Sequence, residues 1–279
     1  MTTAERRLQS RSRHRRLART AGGILLVDGL LRIAGWRAAF RLPGFSARLL
    51  GCVEAVLGLT VLDRAPIEPA ALYGAVAPVY DLMSPLWRDW LYRHALRALD
   101  VTIADGWPPG ADVLDLGCGT GAVLERLLAL GAGVGTYTGV DLSPAMLARG
   151  RAKFGQVAGT RFEPLDLRVE PLPEGPFDLV VSAWALEHLP EPGTIVAAAL
   201  ARLRPGGRLV LLFELDGHSV RESVLRRLWR WFGVRLVPED EAHTWPALVS
   251  LCRFRGLGPD VVVTVLAAEP TPARWQGRP

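Results

Sequence analysis

The chain has 279 residues, 49% hydrophobic and 22% charged, enough for one large folded domain with an extension or two modest domains, and too apolar for a globally disordered protein. The net charge of +5 is concentrated at one end: residues 1–48 carry eleven arginines against only Glu5 and Asp28, so the rest of the chain is acidic. Cys52, Cys118 and Cys252 are odd in number and far apart, and no Cys/His cluster has metal-ligand spacing, which sets aside a disulfide scaffold and a structural metal.

Residues 1–20 form a basic arm, and residues 21–70 an apolar helical hairpin built on the stretches 21–40 and 47–62. Asp28, Arg32 and Arg37 interrupt the first stretch and Glu54 the second. Each charge would cost roughly 2.5–3.5 kcal/mol at the bilayer centre, so a hairpin lying in the interface fits better than two spans. The arginines would then sit among anionic headgroups. An anionic membrane surface is the expected partner and nucleic acid a weaker one; a helical subdomain packed on the main domain is the alternative. Pro66 and Pro69 mark a break, and the main domain is expected over 71–279.

From Asp112 onward short apolar runs alternate with amphipathic stretches. Strands are predicted at 112–116, 136–141, 160–163, 177–183, 208–213 and 261–267, and helices at 120–131, 143–154, 193–203 and 219–232. This alternation predicts an α/β fold, a doubly wound, mostly parallel sheet covered on both faces, with ligands beyond the carboxyl ends of the strands. The helix at 219–232 mixes Arg221, Arg226, Arg227 and Arg230 with Trp229, Trp231 and Phe232, a composition suited to an interface or an acceptor-site cover.

VLDLGCGTG at 113–121 runs from a buried strand into a turn with Gly117, Gly119 and Gly121, followed at once by a helix. Asp115 precedes the glycines. A carboxylate there suits the ammonium group of an amino-acid ligand and would oppose a pyrophosphate, so the turn favours a zwitterion over a dinucleotide. In GVDLSPAML at 139–147, Asp141 ends the second strand where an acid reads a ribose diol, and Ser143 and Pro144 begin a helix as N-cap and first residue.

These motifs, with Asp166 in EPLDL, FDLVVSAWALEHL at 177–189 and LRPGGRL at 203–209, occur in the order and spacing of class I S-adenosylmethionine-dependent methyltransferases, which residues 110–215 resemble. The resemblance implies a Rossmann-like methyltransferase fold, following the N-terminal helical, membrane-associated extension expected over residues 1–70, and S-adenosylmethionine as cofactor. It implies that Asp115, Gly117 and Gly119 hold the methionine end, with Gly121 also in the cofactor-binding turn, Asp141 the ribose, Leu142 and Met146 the adenine, and Asp166 the adenine amino group with Leu167 beside it. Ser182 and Trp184 would border the site. The segment 73–85, YGAVAPVYDLMSP, resembles the opening of quinone and phosphatidylethanolamine methyltransferases, which makes Tyr73 and Tyr80 lid candidates and points to a lipid-like acceptor. That family closes its sheet with two final strands; only one is predicted here after residue 215.

Methyl transfer needs alignment of the reactants and exclusion of water, and a base only where the acceptor must lose a proton. His188 and Tyr80 are the catalytic candidates, with His243 and Asp81 as further possible bases. The expected function is methylation of a lipid-like or hydrophobic acceptor at the cytoplasmic membrane face, without a metal. A soluble small-molecule acceptor, or a non-catalytic cofactor-binding protein, is the alternative.

Overall fold

The computed structural model describes residues 68–85, 88, 92–105, 108–216, 233–254 and 260–267. The basic arm, all but the last residues of the expected hairpin and the helix expected at 219–232 lie outside them. Among the described residues no helix is long and apolar enough to cross a membrane.

Two helices lead in, α1 (Pro69–Pro85) and α2 (Arg93–Ala104). There follow β1 (Ala111–Leu116), α3 (Ala122–Ala129), β2 (Val134–Asp141), α4 (Pro144–Phe154), β3 (Thr160–Pro164) and β4 (Phe177–Ala183). A short 3-10 turn at Leu186–His188 leads to α5 (Pro192–Leu200) and the long β5 (Leu203–Asp216). The chain returns through β6 (Val237–Pro238), α6 (Glu239–His243), β7 (Leu248–Phe254) and β8 (Asp260–Ala267).

The strands form one sheet in the order β3-β2-β1-β4-β5-β8-β7, with β6 added beside β5. β1 to β5 pair in parallel, whereas β8 runs antiparallel to both β5 and β7. Strand order reverses between β1 and β4, which places the ligand crevice at their carboxyl ends. Residues alternate between the faces of the sheet: Val113 joins a core with Leu96, Leu99 and Ile103 of α2 and Leu124 and Leu127 of α3. Leu114 and Leu116 join a second core with Ile195, Val196 and Ala199 of α5. Each fully buried side chain of this size contributes about 1.5–3 kcal/mol.

The predicted strands and the three predicted helices within the described residues are present, most with small shifts of boundary, while the strand expected at 208–213 runs from Leu203 to Asp216. The expectation of a single strand after residue 215 is corrected: β7 pairs with β8, so the antiparallel closure is complete. β7 is an edge strand with only half-buried and exposed residues, so its sequence, LVSLCRF, lacks the continuous apolar run of β8, which is buried throughout.

α1 packs on α4 and is fastened through Asp81. Its carboxylate accepts hydrogen bonds from the Thr120 hydroxyl at 2.6 Å, from Arg149 at 3.0 and 3.1 Å and from Lys153 at 3.2 Å. Burial alone would raise this carboxyl, but Thr120, Lys153 and Arg149 outweigh it and hold the group below its ordinary value. A depressed carboxyl stabilises the fold above its unfolded value, near 3.9, and the contribution is lost as pH falls through the lower folded value. Asp81→Asn should therefore lower unfolding free energy by about 1–2 kcal/mol at pH 7, and the difference in urea midpoint from the parent protein should shrink as pH drops below about 4.

Candidate active site

β1 leads into a turn whose three glycines all have positive φ: Gly117 at 74°, Gly119 at 55° and Gly121 at 85°. The turn is fixed to β2. The N–H groups of Gly117 and Cys118 donate to the Val140 carbonyl at 2.8 and 2.9 Å, and that of Gly119 donates to Asp141 Oδ2 at 2.9 Å. Asp141 Oδ1 accepts from the Ser143 N–H at 2.8 Å, and the Ser143 hydroxyl in turn caps α4 by accepting from Met146 N–H at 3.4 Å. Burial raises the Asp141 carboxyl, with the Ser143 and Gly119 amides opposing it.

Above this turn lies a cleft with about 1080 Å³ between its walls, part of it open to solvent. Of the sequence-predicted residues, Tyr80, Asp115, Gly117, Gly119, Asp141, Leu142, Met146, Asp166, Leu167 and His188 all line it, as do Tyr73 and Trp184. Asp115 is 1% exposed. Its Oδ2 accepts from the Tyr137 hydroxyl at 2.6 Å, and its Oδ1 is buried with no hydrogen-bond partner among the described residues. Burial pushes this carboxyl up to about 7, with Tyr137 opposing and Asp141 adding to the rise. Asp166 is held oppositely: the Arg168 guanidinium grips both carboxylate oxygens at 2.8–3.2 Å and lowers its pKa. Arg168 also reaches Glu68, just before α1, at 3.2 Å.

His188 Nδ1 lies 3.3 Å from the Gly233 carbonyl, and its Nε2 lies 2.9 Å from the Tyr73 hydroxyl. A carbonyl only accepts, so Nδ1 carries the proton and Nε2 is the acceptor of the Tyr73 O–H. Burial lowers the His188 pKa despite the Gly233 contact, and burial raises that of Tyr73 well above its ordinary value, followed by the charge of Tyr80. The pair is a neutral imidazole and a protonated phenol. Burial likewise raises Tyr80 to about 12, Arg88 opposing.

Two predicted site residues stand off the wall. Ser182 is fully buried and donates to the Leu116 carbonyl at 2.9 Å, tying β4 to β1. At Gly121 a Cβ would lie 2.8 Å from the Phe154 ring, so this glycine seats the turn against α4. Asp81 and His243, the two further candidate bases, are not among the residues that line the cleft either. Asp81 is consumed by the clamp on α1, and His243 is exposed at the end of α6, away from the cleft.

Arg88 and Arg168 on the wall, and Tyr137 behind it, belong to none of the expected site residues. Arg88 has a buried Nε with no hydrogen-bond partner among the described residues, and its guanidinium lies 3.9 Å from Glu125. Trp184 has φ of 57°, a strained conformation for a bulky residue, and a buried indole N–H without a hydrogen-bond partner among the described residues. Among the described residues no group of His, Cys, Asp and Glu is placed to hold a metal ion. Ser182→Ala should lower stability by about 1 kcal/mol, and Gly121→Ala by about 1–3 kcal/mol through overpacking and a strained φ, both read from urea unfolding curves.

The Methyltransferase domain family matches residues 114–209. A ubiquinone biosynthesis O-methyltransferase from Nitrosococcus oceani is 31% identical over 192 residues, covering 66% of this chain and 74% of that protein. The ubiquinone/menaquinone biosynthesis C-methyltransferase UbiE of Shewanella sediminis is 27% identical over 174 residues, covering 61% of this chain and 67% of that one. Among solved structures, magnesium protoporphyrin IX methyltransferase (ChlM) from Synechocystis PCC 6803 with bound SAH shares the fold, with a TM-score of 0.50 and 18% identity over 62% of this chain and 82% of that chain. With the glycine turn, the acid at the end of β2 and the sheet order in agreement, the chain belongs to the class I S-adenosylmethionine-dependent methyltransferases.

Proposed function

We propose that this methyltransferase acts on a hydrophobic acceptor whose hydroxyl group gives up its proton during the reaction, and that it does so at the cytoplasmic face of a membrane. The observation that carries the reading is the Tyr73–His188 pair: a buried imidazole whose Nε2 accepts from a tyrosine hydroxyl, on the wall of the cofactor cleft. The apolar and aromatic lining, including Leu96, Leu99, Trp184 and Leu189, supports a hydrophobic acceptor. So do the relatives named for quinone biosynthesis. The arginines of residues 1–48 support an anionic surface as partner.

The residues fit S-adenosylmethionine. The Oδ1 of Asp115, without a hydrogen-bond partner among the described residues, suits the ammonium group, and the Nε of Arg88, likewise without one among them, suits the carboxylate. Gly117 and Gly119 keep the turn open for the methionine chain, Asp141 receives the ribose hydroxyls, Leu142 and Met146 flank the adenine, and Asp166 with Leu167 reads its edge. When bound, the cofactor supplies an activated methyl group on a sulfonium whose departure is neutral. The chain contributes alignment and a dry site beneath α1. It also contributes a route for the acceptor's proton, from the acceptor hydroxyl to Tyr73 Oη as Tyr73 passes its own proton to His188 Nε2, or directly to Nε2.

The test is transfer of labelled methyl from S-adenosylmethionine into a membrane extract, with Asp115→Ala as the binding-deficient control. Label in the organic phase that the control lacks is the expected result, and label confined to the aqueous phase would sink the hydrophobic acceptor. His188→Asn should lower kcat about 10²–10⁴-fold and Tyr73→Phe by less, with cofactor Kd little changed in calorimetry. Because burial depresses His188, its base form persists below the ordinary value of about 6.5. The acid limb of kcat in the parent enzyme should therefore fall below that pH and be absent from His188→Asn.

A further inference from the structure

We propose that Tyr137 is a positioning residue of the cofactor site: its hydroxyl fixes one oxygen of Asp115, leaves the other for the ammonium group of S-adenosylmethionine, and makes capture of that cation an exchange for a proton. The inference rests on the cofactor roles given above and concerns how the site takes the cofactor up.

In the β1–β2 register Val113 lies opposite Tyr137 and Asp115 opposite Gly139, so all four positions share one face of the sheet. Gly139 has no side chain to fill the space beside Asp115, and the Tyr137 ring occupies it. A Cβ at Gly139 would stand 2.9 Å from Tyr137 Cε1 and 2.8 Å from Cys118 Sγ. The glycine thus admits the ring, and the ring carries its hydroxyl to Asp115 Oδ2 at 2.6 Å while the residue itself is wholly buried.

Burial, and then the neighbouring Asp115, raise the Tyr137 phenol well above its ordinary value, so it keeps its proton, which it donates to Oδ2. Any proton on the Asp115 carboxyl therefore resides on Oδ1, the oxygen without a partner among the described residues. The ionisable groups that act on it are Tyr137 and Asp141 on β2, with Cys118 beside it in the glycine turn. β4 brings Val181 opposite Asp115 and adds no charge there. A carboxyl so enclosed holds its proton to about pH 7. A protonated Oδ1 presents an O–H to a cationic donor, so the ammonium group binds as that proton leaves. Affinity should rise with pH through the neutral range until the cofactor's own amine, with an ordinary value near 8, begins to lose its proton.

The experiment is calorimetric titration of the full chain with S-adenosylmethionine at pH 6.5, 7.2 and 8.0, each in buffers of different ionisation enthalpy. The parent protein should release between half a proton and one proton per cofactor at pH 6.5, and less as pH rises. Tyr137→Phe keeps the ring but removes the one hydrogen bond that the described residues give the Asp115 carboxylate, which raises the carboxyl further. For a rise of one unit, binding should weaken about 5–10-fold at pH 6.5 and only about 2-fold at pH 8, with proton release persisting to higher pH. Asp115→Asn should release none. Binding heats of the parent protein that do not depend on buffer would overturn the proposal. So would a Tyr137→Phe variant weakened by the same factor at every pH, the mark of a merely structural role. A parent protein that binds no S-adenosylmethionine at any pH would overturn the cofactor roles, and this inference with them.

Discussion

Asp141 accepts from two backbone amides, Gly119 N–H on one side and Ser143 N–H on the other, and the arrangement of the cleft follows from those two bonds. One draws the glycine turn over the end of β2; the other fixes the entry to α4, where Ser143 completes the cap. A carboxylate in this position is costly to bury unless such donors meet it. The donors are supplied by the same residues that shape the cofactor cradle. Removing the acid would therefore release both the floor of the site and the helix that lines it.

Three carboxylates stand around one cleft and are kept in different states. Asp141 is satisfied by the backbone, Asp166 by the fork of Arg168, and Asp115 by a single phenol. The order matches their depth: the exposed rim can hold an ion pair, whereas the buried wall leaves an oxygen unmatched. α1 is bound to the same constellation at three heights, through Glu68 and Arg168 near its start, Tyr73 and His188 in its middle, and Asp81 with Thr120 toward its end. The helix that covers the cleft thus shares partners with the cofactor rim, the candidate base and the glycine turn.

That the motif residues would meet at one cleft was legible in the sequence because their signals are local. A strand running into VLDLGCGTG, an acid closing the next strand and a Ser-Pro helix start are fixed within a few residues of one another. What the sequence hid depends on distant contacts. Nothing near Tyr137 tells that its hydroxyl ends on Asp115, and nothing near His188 tells that Tyr73 and Gly233 hold its two nitrogens. Arg88 carries no motif. Ser182 and Gly121 join the expected site by their place in the motifs, but the contacts that decide their position, the Leu116 carbonyl and the Phe154 ring, are not local in the sequence. Asp81 looked like a free acid only because Arg149 and Lys153 lie some seventy residues away. β7 escaped notice because an edge strand need not be apolar on either face.

The position of β8 bears on how the chain assembles. Between β5 and β7 the sheet has a slot that only residues 260–267 fill, pairing with β5 on one side and β7 on the other. β5 is the strand with the longest buried run, and until β8 arrives its outer edge offers unpaired amides and carbonyls. On a ribosome the parallel half would emerge and begin to pack while that edge waited for β8, which follows the other strands of the sheet in the chain. Non-local pairing of this kind slows folding and exposes a template for association with other chains. A chain ended at Phe254 would keep every residue of the cofactor cradle and still carry an open, strongly apolar sheet edge.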